Sequence, residues 1–208
     1  MYNMSRIIIL EERANSLALV EEVLRNRIGI SNPIIYTTTQ KAVAAAIANE
    51  PDLIVLEASK RGFSALDKLR KSCIPTRIIM LSASDAEKDI LQAIRNGADG
   101  YLLKDTNPEH LAALLMKALQ GKMALSDGVV EILARALRYS EGEQAESQPA
   151  LTKREKEVLQ LLTEGKSNKA LAEVMGISEG TVKVHIKNIL KKLGLRSRMQ
   201  AALWKLQR

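Results

Sequence analysis

The chain has 208 residues, 46% of them hydrophobic and 26% charged, which excludes wholesale disorder and leaves room for one large domain or two small ones. One cysteine, Cys73, and two histidines, His110 and His185, exclude a disulfide framework and a cysteine- or histidine-rich metal site, so neither metal nor cofactor is expected. No apolar run approaches the length of a membrane span, and the N-terminal stretch MYNMSRIIIL lacks the cationic patch and long apolar core of a secretion signal; a cytoplasmic protein without membrane contact is expected.

From the N-terminus, short β-branched runs alternate with longer amphipathic ones. Strands are predicted over residues 7–10, 33–37, 53–57, 77–82 and 100–103, apolar on both faces as buried parallel strands must be. Helical periodicity fills residues 15–27, 40–49, 64–71, 85–96 and 108–120, with Gly29, Gly62, Gly97 and Gly121 at or near the joins. Five βα repeats define an α/β domain over residues 5–121, a flavodoxin-like doubly wound sheet of five parallel strands. Ligands of such sheets sit at the carboxyl ends of the strands, which puts Glu11, Glu12, Glu57, Ser82 and Lys104 on one rim. Residues 122–150 read as a helix over 127–139, behind Ser126, and then the linker SEGEQAESQPA, which has no large apolar side chain.

Residues 151–208 read as a small all-α domain. Thr152 and Glu155 form a capping box ahead of Val158, Leu159, Leu161 and Leu162. Ser167 caps a short helix ending at Met175, Gly176 and Ile177 make a tight turn, and Ser178 caps a third helix over 179–193. Ser197 with Gln200 suggests a second capping box for a last helix over 197–206. Helix, short helix, turn, helix is the helix-turn-helix arrangement.

The net charge of +7 sits almost wholly here: residues 1–149 carry 18 Lys/Arg against 19 Asp/Glu, residues 150–208 carry 13 against 5. On a wheel of about 100° per residue, Val182, Ile186, Ile189 and Leu193 share the core side of the third helix. The opposite face gathers Lys183, Val184, Lys187, Asn188 and Lys191, with Thr181 one turn before them. Lysines at i, i+4 and i+8 without an acidic partner repel one another; phosphates or guanine edges in a major groove turn that repulsion into attraction. A solubilising stripe is the plain alternative, but its place on the second helix of a helix-turn-helix favours double-stranded DNA. Ser167, Asn168 and Lys169 sit at a helix N-terminus, as a simple cap or as a phosphate anchor. Trp204 belongs either to the core or to a surface pairing two copies.

Enzyme chemistry finds no support. Neither a dinucleotide nor a P-loop glycine motif follows the first strand, where EERANS stands, and there is no Ser/His/Asp set. One Phe, one Trp and four Tyr leave no aromatic platform for RNA.

The stretch from Leu151 to Trp204 resembles a LuxR-type DNA-binding domain, and PDLIVLE (51–57) with GADGYLLKD (97–105) resembles a response-regulator receiver. The chain is thereby identified as similar to the NarL/FixJ class of two-component response regulators, and its wording around 97–105 and 181–205 is similar to the nitrate/nitrite regulators. The resemblance implies base contacts from Lys183, Val184 and Lys187, a homodimer on a two-fold repeat, and a sensor kinase as a possible partner. It also implies an acidic pair, a phosphoacceptor aspartate and a proline four residues later. Those positions hold Glu11 and Glu12, Glu57, and Arg61 preceded by Lys60. Ser82 fills the hydroxyl position, Lys104 the lysine position and Tyr101 the aromatic switch position, on a dimerisation face or simply packed.

Phosphoryl transfer to a carboxylate needs in-line placement and a neutralising metal, and Mg²⁺ tolerates little departure from octahedral geometry. Lengthening each acid by one methylene, roughly 1.3–1.5 Å, overfills such a pocket, and a misplacement of about 1 Å costs on the order of 100-fold. The expectation is a receiver not switched by ordinary aspartyl phosphorylation, with Lys60 and Arg61 as replacement positive charge. Either Glu57 imitates the phosphorylated state through Lys104 and Ser82, or the pocket is neutralised internally and control lies elsewhere. A conventional phosphorylation-responsive regulator and a ligand-sensing pseudo-receiver remain the alternatives.

Overall fold

A computed structural model describes residues 6–10, 18–72, 74, 76–139 and 151–206. Glu11, Glu12, Cys73 and the linker at 140–150 lie outside them, as does the start of the first predicted helix.

Four strands occupy their predicted residues: β1 (Ile7–Leu10), β3 (Leu53–Glu57), β4 (Arg77–Ser82) and β5 (Gly100–Leu103). β2 is shorter, Ile34–Tyr36. All pairings are parallel, and a two-residue sixth strand, β6 (Ala124–Leu125), extends the expected five along β5, giving the order β2-β1-β3-β4-β5-β6. β6 stayed hidden in the sequence because two residues carry no periodicity. Gly100 admits it, since a Cβ there would lie 2.2 Å from the Ala124 carbonyl oxygen. The central strands are buried on both faces, with Ile8, Leu10, Ile54, Leu56, Ile78 and Met80 on one and Ile7, Ile9, Leu53, Val55, Ile79 and Leu81 on the other, whereas β2, expected to be buried too, is an edge strand with Ile34 and Ile35 exposed. Each such side chain contributes about 1.5–3 kcal/mol.

Helices α1 (Ala18–Val23), α2 (Thr39–Asn49), α3 (Lys60–Lys71), α4 (Glu87–Arg95) and α5 (Pro108–Leu119) follow the strands, and α1 runs on through a wide π-type turn, Leu24–Ile28. α3 starts a turn before its predicted first residue. Ser59 caps it by accepting from the Gly62 amide, and Gly62 lies so close to β3 that a Cβ would sit 1.8 Å from the Glu57 carbonyl oxygen. Two cations and a glycine are poor first-turn residues, which is why periodicity missed this start. α6 (Asp127–Tyr139) spans its predicted residues and packs Val129 and Leu133 into the core beside α4, with an Arg135–Glu87 ion pair at the rim.

The C-terminal helices are α7 (Lys153–Thr163), α8 (Asn168–Met175), α9 (Glu179–Leu193) and α10 (Arg198–Leu206). The Thr152–Glu155 capping box is complete, and Ser167 and Ser178 cap α8 and α9. Val158, Leu159, Leu162, Leu171, Val182, Ile189 and Ala201 form their own core. Glu155 is buried and also meets Lys192 Nζ at 2.7 Å, tying α7 to the end of α9. Trp204 packs against this core.

Candidate nucleic-acid interface and receiver pocket

The rim residues stand where the strands end. Glu57 closes β3, Ser82 closes β4 and Lys104 follows β5, held level because the Lys104 amide donates to the Ser82 carbonyl oxygen (2.7 Å). Lys104 Nζ donates to Glu57 Oε1 at 2.7 Å, with both side chains about four-fifths shielded. The Ser82 hydroxyl accepts from the Ser84 amide. Lys60 and Arg61, expected to supply positive charge here, lie exposed in the first turn of α3; Glu11 and Glu12, the acids they were expected to face, are outside the described residues.

Tyr101 is fully buried among the sheet residues, so it packs in the core and is absent from any exposed dimerisation face. Its hydroxyl reaches the Ser84 carbonyl oxygen. Burial pushes the phenol up from its ordinary value, opposed by a hydrogen bond with Ser82.

On α9 the predicted division of faces is observed. Val182 and Ile189 are fully buried and Ile186 and Leu193 partly so, while Lys183, Lys187, Asn188 and Lys191 are exposed and Val184 is 55% exposed. No carboxylate pairs with Lys183, Lys187 or Lys191 among the described residues. Thr181 is exposed, with its hydroxyl 2.9 Å from the capping Ser178 hydroxyl. Lys169 is exposed at the start of α8, whereas Ser167 and Asn168 are partly buried.

The helical domain is docked on the receiver-like domain through α10. Gln200 Nε2 donates to the Ile94 and Arg95 carbonyl oxygens at the end of α4, both at 2.8 Å. Arg196 meets Asp67 of α3 at 2.9 Å, the Ser197 hydroxyl reaches the Ala98 carbonyl oxygen, and Met199 is buried in the core of the α/β domain with Leu203 beside it. Arg196 with Lys71 holds the Asp67 carboxyl below its ordinary value, Lys71 contributing most. The second capping box is therefore half made. Ser197 accepts from the Gln200 amide, but the Gln200 side chain serves α4 and the Arg196 amide instead of the Ser197 amide. Docking covers α10 and leaves the lysine face of α9 open.

A doubly wound sheet followed by a helix-turn-helix with a free basic face defines the class: a DNA-binding response regulator, not an enzyme. Residues 7–116 match the response regulator receiver domain and residues 149–205 the luxR family of bacterial regulatory proteins. The chain belongs to that family, as a two-component response regulator of the NarL/FixJ class. It is 40% identical over 168 residues to the nitrate/nitrite response regulator protein NarL of Escherichia coli (strain K12), covering 79% of this chain and 78% of that one. It is 42% identical over 173 residues to NarP of the same strain, covering 80% and 79%. Among solved structures it is similar to the response regulator ChrA of a heme-sensing two-component system, at 28% identity and a TM-score of 0.52, over 99% of this chain and 98% of that one.

The family's phosphoryl chemistry implies a divalent cation at the rim, and Glu11 and Glu12, which would hold it together with Glu57, lie outside the described residues. The Glu57 carboxylate is engaged by an ammonium, the Ser82 hydroxyl by an amide, and among the described residues no three His, Cys, Asp or Glu side chains gather as a metal site. No helix of the described residues is long and apolar enough to cross a membrane. What sequence reasoning missed is the role of α10. Ser197 and Gln200 read as local capping residues, and nothing in their spacing tells of α4.

Proposed function

We propose that this chain is a cytoplasmic, sequence-specific transcription regulator that reads double-stranded DNA with α9 and does not wait for aspartyl phosphorylation. Residues 5–121 serve as a degenerate receiver, 122–150 as helix and linker, and 151–208 as the reading domain. Lys183 and Lys187 donate to guanine edges or flanking phosphates, Val184 meets a thymine methyl, and Thr181, Asn188 and Lys191 extend the contact. Lys169, with the amides of Asn168 behind the Ser167 cap, holds a backbone phosphate.

The observation that carries this reading is the open, uncompensated lysine face of α9 in a molecule whose two domains are docked. The Glu57–Lys104 pair supports the second half: the longer acid at the acceptor position already gives Lys104 an anionic partner, imitating an occupied pocket. A homodimer on a two-fold repeat is favoured, as two modules bind half-sites more tightly than one. Since α10 packs on the receiver, the pair either forms elsewhere or separates the domains first. The reading requires no sensor kinase.

A duplex selection with the full chain, without phosphodonor, tests it. Recovery of a two-fold repeat, with affinity unchanged by a small-molecule phosphodonor and Mg²⁺, is the expected result. Glu57→Gln and Glu57→Ala should lower DNA binding and dimerisation; unchanged binding overturns the mimic.

A further inference from the structure

β2 is an open edge of the sheet. It stands first in the strand order and, among the described residues, pairs with β1 alone, so its other side presents backbone N–H and C=O groups for pairing. Ile34 is 48% exposed and Ile35 38%, the reverse of what a covered parallel strand shows. Edge strands are ordinarily kept from pairing by a charge or a proline. β2 carries neither: it reads Ile34, Ile35, Tyr36, with Pro33 just before it.

The neutral surface runs on into α2. From Ile28 to Asn49 the one charged residue is Lys41, in a chain with 26% of its residues charged. The register Ile8↔Ile34 puts Ile34 on the side of the sheet that α2 covers, and Ile35, beside Ile9, on the other. On α2, Ala44, Ile47 and Ala48 stand at i, i+3 and i+4 and are all exposed, forming one small apolar face.

A second copy of this chain suits that surface. A partner recognised by charge finds almost nothing to read here, whereas a two-fold axis at the edge brings uncharged residues against themselves. An antiparallel strand pair also satisfies both open edges at once. β2 lies at the far edge of the sheet from β5 and β6, so pairing there leaves the Gln200 contacts with α4 and the lysine face of α9 undisturbed.

We propose that two copies join along β2, antiparallel about a two-fold axis, with their sheets continuous across the interface and the α2 helices flanking it. The pair is the homodimer of the proposed function, on which this inference rests, formed without undocking α10. Isologous pairing uses each open edge once and so closes at the dimer. The patch, confined to residues 31–49, is smaller than the about 20–30 residues a side of a standard interface. Association in solution is therefore weak, and a two-fold DNA repeat strengthens it by holding the copies together.

The test uses the full chain without DNA. Sedimentation equilibrium from micromolar to millimolar concentration reports association, and amide hydrogen exchange at both ends of that range reports its place. The expected result is a monomer–dimer equilibrium with added protection confined to residues 31–49. Ile34→Lys and Ile35→Lys, checked for folding by circular dichroism, should each raise the dissociation constant at least about tenfold, since each lysine meets its own copy near the axis. A chain that stays monomeric throughout overturns the proposal, as does protection on another surface or association that both variants leave unchanged. Deleting residues 1–5 should not alter the equilibrium; association that appears only in the shortened chain assigns the edge to that segment and overturns the pair. A duplex selection with Ile34→Lys separates this inference from the DNA reading. A two-fold repeat bound as tightly by the variant keeps that reading and overturns the edge pair, whereas a wild type that pairs in solution but binds no duplex does the opposite. Exchange in the wild type needs no variant and decides the matter if the lysine variants do not fold.

Discussion

Lysines meet opposite fates in the two halves of this molecule. Lys104 sits at the carboxyl rim of the sheet with its ammonium 2.7 Å from Glu57, while Lys183, Lys187 and Lys191 stand on α9 with water around them. In the receiver the lengthened acid gives the rim its counter-charge from within the chain. In the helix-turn-helix the counter-charge is left to come from outside, which is what a DNA-binding surface requires. The fold alone does not separate a switchable domain from a locked one.

The sharpest test of internally supplied charge is deeper in the receiver. Arg70 and Asp99 are both almost fully buried, and Arg70 also donates to the Gly97 and Thr76 carbonyl oxygens. Arg70→Met strands a buried carboxylate and should cost about 3–5 kcal/mol of stability in urea titrations. A cost below about 1 kcal/mol would place the pair on the same footing as an exposed one.

On the exposed side, Lys183→Ala and Lys187→Ala should each weaken specific DNA binding by about 1–3 kcal/mol while changing stability by less than about 0.5 kcal/mol. Fluorescence anisotropy with matched and single-base-altered duplexes separates the roles. A lysine reading a base relaxes specificity at one position, whereas one holding phosphate lowers affinity evenly and flattens the salt dependence.

Glu155 offers an intermediate case, a buried carboxylate shared between a helix cap and Lys192. Lys192, and then the Thr152 amide, hold its carboxyl below its ordinary value. Because the folded value is depressed, the stabilisation is fully present above the unfolded carboxylate range and is lost as pH falls through the folded value. Glu155→Gln should therefore lower stability at neutral pH and flatten the acid limb of the melting profile below about pH 4. Thr152→Ala, which removes the other half of the box, should cost about 1 kcal/mol by thermal unfolding.

At the seam the effect falls on docking rather than on the folding of either domain. Gln200→Ala removes two hydrogen bonds to the end of α4, worth about 0.5–1.5 kcal/mol each. Faster proteolysis of the linker, with the α9 lysines binding DNA as before, would show that docking and reading are separate.

Much of the fold was legible because its signals are local. β1, β3, β4, β5, α6 and α9 occupy their predicted residues, since apolar runs, Ser caps and 3.6-residue periodicity are properties of neighbours in the chain. The start of α3 was missed because Lys60, Arg61 and Gly62 oppose a helix locally, and the Ser59 cap together with the close approach to Glu57 overrides them.

By itself the sequence determined the two-part plan, the buried parallel sheet, the basic face of α9 and the glutamate at the acceptor position, because charge, periodicity and residue identity are carried by the chain directly. Tertiary structure alone decided that Glu57 turns to Lys104, that Tyr101 packs inside, and that Gln200 leaves its own cap for the carbonyls of α4. Those outcomes depend on which groups lie within a few ångströms across tens of residues of chain. Hydrogen bonds and ion pairs are short-ranged and directional, so their partners are fixed only when packing brings distant segments together.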